Sequence, residues 1–211
     1  MCARMAFHID SSTCVGCKTC EIACKDKQDL SVGPRPRFVR EFHGGTWMSD
    51  ATDSTIMRQE GVFSYNISMS CNHCANPACV PACPQGAMQK DTKTGIVTSD
   101  WEKCIGCGRC AEACPYHAPQ IDVEAKHIRK CDFCKDLLDE GKAPACVETC
   151  PMRALDYGEY DDLVAKYGNV CDVAPLPDSA TTSPSVIITP HRDAKYDIAQ
   201  GYSTTLYRQE A

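Results

Sequence analysis

The 211-residue sequence contains no run of 18 or more apolar residues and only two tryptophans. Because a helix needs about 20 apolar residues to cross a bilayer, no membrane-spanning segment is predicted. The N-terminus, MCARMAFHIDSS, lacks the apolar stretch and the small-residue cleavage site of a secretory signal. Positive charge is also scarce, with 22 Lys and Arg against 28 Asp and Glu. This acidic balance argues against nucleic acid as a partner.

A catalytic arrangement is missing as well. No nucleophile–base pair, phosphate-binding loop or nucleotide fingerprint can be placed. The sequence has six histidines, but its cysteines are numerous enough to bind every metal by themselves, so no histidine is assigned as a ligand. We therefore predict that the chain is not an enzyme on its own.

Cysteine is what the sequence has in excess, with 18 residues, and sixteen of them form four repeats of one motif. Each motif opens with C-x2-C and closes with C-x3-C, and only the middle gap differs. Such internal repetition indicates one kind of site built four times. Motif one is Cys14, Cys17, Cys20 and Cys24; motif two is Cys71, Cys74, Cys79 and Cys83; motif three is Cys104, Cys107, Cys110 and Cys114; motif four is Cys131, Cys134, Cys146 and Cys150.

The spacing is typical of iron–sulfur cubanes. In C-x2-C-x2-C-x3-C-P, one tight loop supplies three thiolates to a cluster, and the fourth cysteine ligates the other cluster of a pair. Gly16 and Gly106 let the backbone of motifs one and three come close to the sulfurs. Proline follows the last cysteine in motifs two, three and four and gives the chain a sharp exit.

The lengths of the connections predict which motifs exchange their fourth cysteine. Motifs two and three are joined by the short linker 84–103, which is typical of a two-cluster ferredoxin, so motifs one and four must pair with each other. This exchange predicts four cysteine sets, each binding one [4Fe–4S] cluster. Set 1 is Cys14, Cys17, Cys20 and Cys150; set 2 is Cys24, Cys131, Cys134 and Cys146; set 3 is Cys71, Cys74, Cys79 and Cys114; set 4 is Cys83, Cys104, Cys107 and Cys110.

Structural zinc and disulfides are the alternatives for so many cysteines. Zinc needs two C-x2-C pairs, and neither the third cysteine nor the following proline would be required. Disulfides belong to oxidising compartments, and no export signal is visible. Cys2 and Cys171 lie outside the motifs and are expected to be ordinary free thiols.

The fold class predicted from this pattern is α+β, with short strands, short helices and long loops. It consists of two bacterial-ferredoxin-like modules, the outer one split around the inner one. The predicted boundaries are 1–30 with 120–158 for the outer module, 31–65 for an insertion, 66–119 for the inner module and 159–211 for an extended C-terminal tail that contacts partners.

Three local predictions concern the connections. The insertion has turn-rich stretches at 33–37 and 43–47 and one predicted strand, Val62–Ile67. A short helix is predicted at Tyr160–Tyr167. The basic stretch Lys126–Lys130 beside motif four is either a solvated face or a local positive charge that tunes the adjacent cluster.

The segments FHIDSSTCVGCKTCEIACKD, ISMSCNHCANPACVPACPQGAM, CIGCGRCAEACPYHAPQ and KCDFCKDLLDEGKAPACVETCPMRALDYG resemble the iron–sulfur subunits of the dimethyl sulfoxide reductase family. The resemblance implies an electron-transfer subunit with four [4Fe–4S] clusters and the same reciprocal pairing of cysteines. It also implies a catalytic partner with a molybdenum bis(pyranopterin guanine dinucleotide) cofactor and a membrane subunit that oxidises menaquinol. Set 1 would lie nearest the molybdenum subunit. Related nitrate reductase subunits carry Trp in place of Cys107 and a three-iron cluster, so the cysteine here implies a complete cubane.

Alternatives stay open at this stage. The chain is either a subunit of such a complex or a free-standing polyferredoxin, and the complex itself has several candidate activities, including thiosulfate or polysulfide reductase, formate dehydrogenase and aromatic dehydroxylase. The resemblance implies a peripheral position in a membrane-bound complex, exported already folded with a twin-arginine partner. The alternative location is the cytoplasm.

Overall fold

The computed structural model describes residues 4–194. Apart from two long strands, its elements are short, and helices and small sheets are mixed along the chain, consistent with an α+β fold. In chain order they are β1 (Met5–Asp10), α1 (Thr19–Lys27), β2 (Arg37–Ser49), β3 (Met57–Ser70), β4 (Met88–Lys90), β5 (Val97–Ser99), α2 (Arg109–Glu112), β6 (Gln120–Asp122), β7 (His127–Arg129), α3 (Lys135–Asp139), α4 (Ala145–Glu148), β8 (Leu155–Glu159), α5 (Tyr160–Tyr167), a 3₁₀ turn (Ser179–Thr181) and β9 (Val186–Thr189).

A three-stranded sheet of order β8–β1–β9 lies at the centre, with β1 antiparallel to β8 and parallel to β9. Side chains alternate between the two faces of β1, because successive residues of a strand point in opposite directions. Ala6 packs with Leu163 of α5 on one face. Phe7 and Ile9 join the main core on the other face, where several motif cysteines are also buried. The sheet therefore separates α5 from the cysteine-rich core.

The insertion forms a long antiparallel hairpin of β2 and β3. The predicted strand Val62–Ile67 is confirmed but is only part of β3, and the prediction of a turn at 43–47 was wrong because this stretch lies inside β2. Its glycines allow the pairing register to shift between Gly44 and Thr46, which is a β-bulge rather than a chain reversal.

Two small hairpins connect the cysteine motifs. The pair β4–β5 lies between motifs two and three, and the pair β6–β7 lies between motifs three and four. The helices α1, α2 and α4 carry or immediately precede the last cysteine of motifs one, three and four. Each motif thus consists of a loop followed by a short helix or turn, as the spacing predicts.

The segment after residue 159 contains regular secondary structure as well as extended chain. The predicted helix Tyr160–Tyr167 is confirmed as α5, and β9 completes the central sheet beside β1. Residues 195–211 lie outside the described residues, as does Cys2. No helix in the described part of the chain is long and apolar enough to span a bilayer.

Candidate iron–sulfur centres

Helix α1 shows how one motif contributes to two neighbouring sets. Cys20 and Cys24 are both buried and lie four residues apart, which is about 6 Å along a helix and on one face. Burial raises the pKa of the Cys20 thiol, and the nearby thiols of Cys146 and Cys150 add to the rise. Burial likewise raises the pKa of Cys24 to about 12, opposed by a neighbouring guanidinium and increased by the thiols of Cys146 and Cys134. The two cysteines therefore lie among thiols of motif four.

The cysteines of set 1 line one cavity that is partly open to solvent. Three of them come from motif one, and the fourth, Cys150, is the last cysteine of motif four. The exposed residues of the lining include the apolar Val15 and Met152 and also Lys18, whereas Ser68 is buried. The structure thus brings together the four residues that the sequence assigns to this set.

The cysteines of set 4 line a second cavity that is also partly open to solvent. Here Cys104, Cys107 and Cys110 of motif three face Cys83, the last cysteine of motif two. Burial raises the pKa of Cys110 to about 11, and the thiols of the other three add to the rise. The pKa of Cys83 is lowered, since four backbone N–H groups of residues 85–88 outweigh its burial. The backbone of this loop therefore stabilises the thiolate form of Cys83.

Sets 2 and 3 lie deeper and show the same grouping through their electrostatics. In set 2 all four cysteines are buried, and the thiol of Cys131 has a pKa raised well above 9.0 by burial, with Cys24 and Cys146 among its neighbours. In set 3, burial raises the pKa of Cys74 to about 11 and of Cys79 to about 12, and the thiols of Cys71 and Cys114 increase both values.

The exposure of the cysteines distinguishes sets 1 and 4 from sets 2 and 3. Cys17 of set 1 and Cys107 of set 4 are the exposed motif cysteines, and every member of sets 2 and 3 is buried or half-buried. Cys171 is half-buried beside Asp172 and does not line either cavity; that it is a free thiol stays a prediction.

Several donors approach the sulfurs directly. The backbone N–H of Ala154 donates to Cys150 Sγ at 3.3 Å, and that of Phe133 donates to Cys131 Sγ at 3.4 Å. The hydroxyl of Thr19 donates to Cys17 Sγ at 3.4 Å. Such contacts stabilise negative charge on sulfur and set the potential of a bound cluster.

The two glycines of the Gly-Cys pairs adopt the backbone conformation expected of them. Gly16 has φ +71° and Gly106 has φ +66°, a region that other residues rarely occupy. A Cβ on Gly106 would lie 2.6 Å from the carbonyl oxygen of Lys126, and one on Gly16 would lie 2.6 Å from Oδ1 of Asn66. Close packing against backbone therefore requires glycine at position 106, whereas at position 16 the obstacle is a movable side chain and the positive φ is the stronger reason for glycine.

The basic stretch beside motif four is not uniformly solvated. Lys126 is exposed, but Lys130 is buried and its Nζ donates to the carbonyl oxygens of Val97 and Cys131. Lys130 lies near enough to Cys79 to oppose the rise in its pKa. The interpretation as a solvated face was thus wrong for Lys130, and the idea that it tunes a cluster stays a prediction.

Arg37 is a residue of this region that no sequence signal indicated. It is almost fully buried at the start of β2. It lies in a stretch predicted to be rich in turns, where an arginine is normally solvated. Only the strand pairing of the hairpin, which is not visible in the local sequence, carries it into the core.

The cysteine sets are compatible with a cubane cluster. Among residues 4–194, no three Cys, His, Asp or Glu side chains are close enough together to bind one metal ion. A cubane does not require this, since each of its four irons takes a different cysteine. Four thiols around one cavity, with backbone donors directed at sulfur, fit that cofactor.

Comparisons with known proteins agree with this geometry. A family model described as a 4Fe-4S dicluster domain matches residues 62–160, and one described as a 4Fe-4S binding domain matches residues 11–27. The B subunit of the anaerobic dimethyl sulfoxide reductase of Escherichia coli K12 is 47% identical over 195 residues, which cover 92% of this chain and 93% of the relative. The protein belongs to this family of iron–sulfur subunits.

Other relatives extend the comparison. The B subunit of the anaerobic dimethyl sulfoxide reductase of Haemophilus influenzae is 44% identical over 192 residues, which cover 91% of this chain and 92% of the relative. The iron–sulfur subunit of the nitrate-inducible formate dehydrogenase of Escherichia coli K12 is 36% identical over 170 residues, which cover 77% of this chain and 56% of the relative. As a member of the B-subunit family, the protein binds [4Fe–4S] clusters and transfers electrons, and both the α+β fold and this function are confirmed.

Proposed function

We propose that the chain binds four [4Fe–4S] clusters, one at each cysteine set, and is the electron-transfer subunit of a molybdenum enzyme complex. The observation that carries the proposal is the lining of the two cavities, where three cysteines of one motif face the last cysteine of another. The sequence predicted the same exchange from the spacing of the motifs and the lengths of their connections. When bound, the clusters supply one-electron redox chemistry.

The exposure of the cysteines supports a path for electrons between the surface at set 1 and the surface at set 4. Cys17 and Cys107 are exposed at sets 1 and 4, whereas the cysteines of sets 2 and 3 are all buried or half-buried, so we infer that sets 2 and 3 lie between the other two. Val15 and Ile105, beside these two cysteines, are 60% and 61% exposed and give each end an apolar rim for a partner. Because their cysteines are less accessible, sets 2 and 3 are expected to exchange electrons with sets 1 and 4 rather than directly with partners.

The proposed partners follow from the relatives. One end, at set 1, contacts a catalytic subunit with a molybdenum bis(pyranopterin guanine dinucleotide) cofactor, and the other contacts a membrane subunit that oxidises menaquinol. Relatives are named as the B subunit of a dimethyl sulfoxide reductase and as the iron–sulfur subunit of a formate dehydrogenase, which supports membership of a multi-subunit complex. With four cysteines at each set, no iron is left open for substrate, so the chain does not catalyse the reaction itself.

The proposed location is peripheral, in a membrane-bound complex exported already folded with a twin-arginine partner. Fractionation of the native cells tests it. Recovery with the membranes on their outer face would support it, and recovery with the soluble cytoplasm would favour the alternative.

Metal analysis tests the cluster count. Anaerobically purified chain is expected to contain about sixteen irons and about sixteen acid-labile sulfides, four of each per set. Zinc in their place, or about eight irons, would contradict the proposal. Cys17→Ser and Cys171→Ser form a matched pair, because only the first removes a proposed ligand.

Co-purification tests the complex. Affinity capture of the chain from its native cells is expected to recover a molybdenum-containing subunit in equal amount. A stable, fully loaded monomer that captures no such subunit would favour a free-standing polyferredoxin.

A further inference from the structure

Arg37 is a buried cation whose hydrogen bonds within the described part of the chain all go to neutral atoms. It is 1% exposed, and its guanidinium lies 4.6 Å from the centre of the Phe7 ring. Nη1 donates to the carbonyl oxygen and the hydroxyl of Ser68, both at 3.1 Å, and Nη2 donates to Ser70 Oγ at 3.1 Å. Nε has no hydrogen-bond partner among residues 4–194.

Such a group needs a negative charge nearby, because an unpaired buried charge is strongly destabilising. No carboxylate of residues 4–194 forms an ion pair with Arg37; the buried Glu21 instead pairs with Arg35 at 3.0 Å and accepts from the N–H of Val39. The fold has thus enclosed a permanent positive charge, and the buried carboxylate of Glu21 pairs with a different arginine.

Sulfur surrounds Arg37 instead. Burial opposes the charged form of Arg37, and the thiols of Cys146, Cys131, Cys20 and Cys24 lie near enough to favour it, so the pKa of its guanidinium is raised. Cys20 belongs to set 1 and the other three belong to set 2. Ser68 connects the two systems, since its hydroxyl accepts from Arg37 and lies 3.3 Å from Cys20 Sγ.

We propose that Arg37 is the counter-charge of the clusters at sets 1 and 2 and raises the reduction potential of both. The inference rests on the proposed function. Reduction adds negative charge to a cluster, and a fixed cation in a dry core stabilises that charge more than the same cation in water would. Arg37 binds no iron in this scheme and is a positioning residue.

The rival explanation is structural. Arg37 joins two serines of β3 from the first position of β2, and this role alone could account for its burial. The two roles differ in what they change. Loss of a structural contact lowers stability, whereas loss of a counter-charge lowers the potentials of two particular clusters and spares the others.

The test uses the full chain, anaerobically loaded, with redox titration followed by EPR spectroscopy. Signals are assigned to sets by single Cys→Ser replacements. Arg37→Met removes the charge and Arg37→Lys keeps it. The control is Arg58→Met, which removes a 68% exposed guanidinium, paired with Asp50, from the far end of the same hairpin.

We expect Arg37→Met to lower the ratio of reduced to oxidised cluster at sets 1 and 2 by about tenfold at a fixed potential, which is about 59 mV for a one-electron couple. Sets 3 and 4 should keep their potentials, and Arg37→Lys and Arg58→Met should resemble the unaltered chain. If Arg37→Met fails to load sets 1 and 2 while Arg37→Lys loads them normally, the requirement for charge is also supported.

Unchanged potentials in Arg37→Met would overturn the inference, as would equal effects of Arg37→Met and Arg37→Lys on loading or on potential. Iron content separates this result from a failure of the proposed function. If Arg37→Met contains about sixteen irons and its potentials are unchanged, only the proposed role of Arg37 is refuted. If the unaltered chain contains far fewer than about sixteen irons, the proposal of four clusters is itself refuted.

Discussion

Gly106→Ala is expected to disrupt set 4 through the backbone rather than through a ligand. Gly106 lies between Cys104 and Cys107 and has φ +66°, and an added Cβ would lie 2.6 Å from the carbonyl oxygen of Lys126. A residue other than glycine in this region costs roughly 1–2 kcal/mol. Overpacking against rigid backbone adds roughly 1–3 kcal/mol. The total is roughly 2–5 kcal/mol of folding free energy.

Gly86→Ala is the matched control. Gly86 lies in the loop after Cys83, which belongs to set 4. It has φ +60°, but a Cβ there would meet nothing within 4 Å. Only the backbone cost of roughly 1–2 kcal/mol applies. The difference between the variants, about 1–3 kcal/mol, corresponds to roughly 2–12 °C in melting temperature for a domain of this size.

The assay is the anaerobic melting temperature of the loaded chain at one scan rate, together with its iron content. Gly106→Ala should melt at the lower temperature and lose iron from set 4 first. Equal melting temperatures and equal iron contents for the two variants would refute the close approach of Gly106 to the β6–β7 turn.

Three further variants test other contacts, each by the anaerobic melting temperature of the loaded chain. Gly16→Ala should be partly rescued by Asn66→Ala, since the atom that a Cβ would meet is a side-chain oxygen at 2.6 Å, and the absence of rescue would contradict this contact. Tyr65→Phe should cost about 1–3 kcal/mol because its buried hydroxyl donates to the carbonyl oxygen of Ala174 at 2.7 Å, and a cost near zero would refute that bond. Burial lowers the pKa of His8 below 6.5 against two nearby carboxylates, so the unfolded chain binds the proton more readily. Its contribution to stability should be intact above pH 6.5 and decline below it, and His8→Gln should flatten this slope; an unaltered slope would contradict the assignment.

The cysteine spacing made much of the candidate site predictable, because spacing determines which sulfurs one loop can present to a cluster. The helix Tyr160–Tyr167 was also visible, as acidic residues begin it and a glycine follows it. Local chemistry decides both features, so a single sequence suffices to predict them.

The hairpin and the central sheet depended on distant pairing. Gly44 and Gly45 indicate a turn when read locally, but pairing with β3 turns them into a bulge within a strand. The parallel pairing of Phe7 with Val186 joins the two ends of the described chain and has no local signature. The burial of Arg37 follows from the same hairpin, which is why the sequence alone did not reveal it.

The exchange of the fourth cysteines is the central claim, and paired ligand replacements test it most directly. Cys83→Ser and Cys74→Ser both alter motif two, but the account places them in sets 4 and 3 respectively. EPR spectra of the anaerobically reduced variants should therefore show that Cys83→Ser changes the same cluster signal as Cys107→Ser, and that Cys74→Ser changes the same signal as Cys114→Ser. If Cys83→Ser and Cys74→Ser change one common signal, each motif binds its own cluster and the account is contradicted.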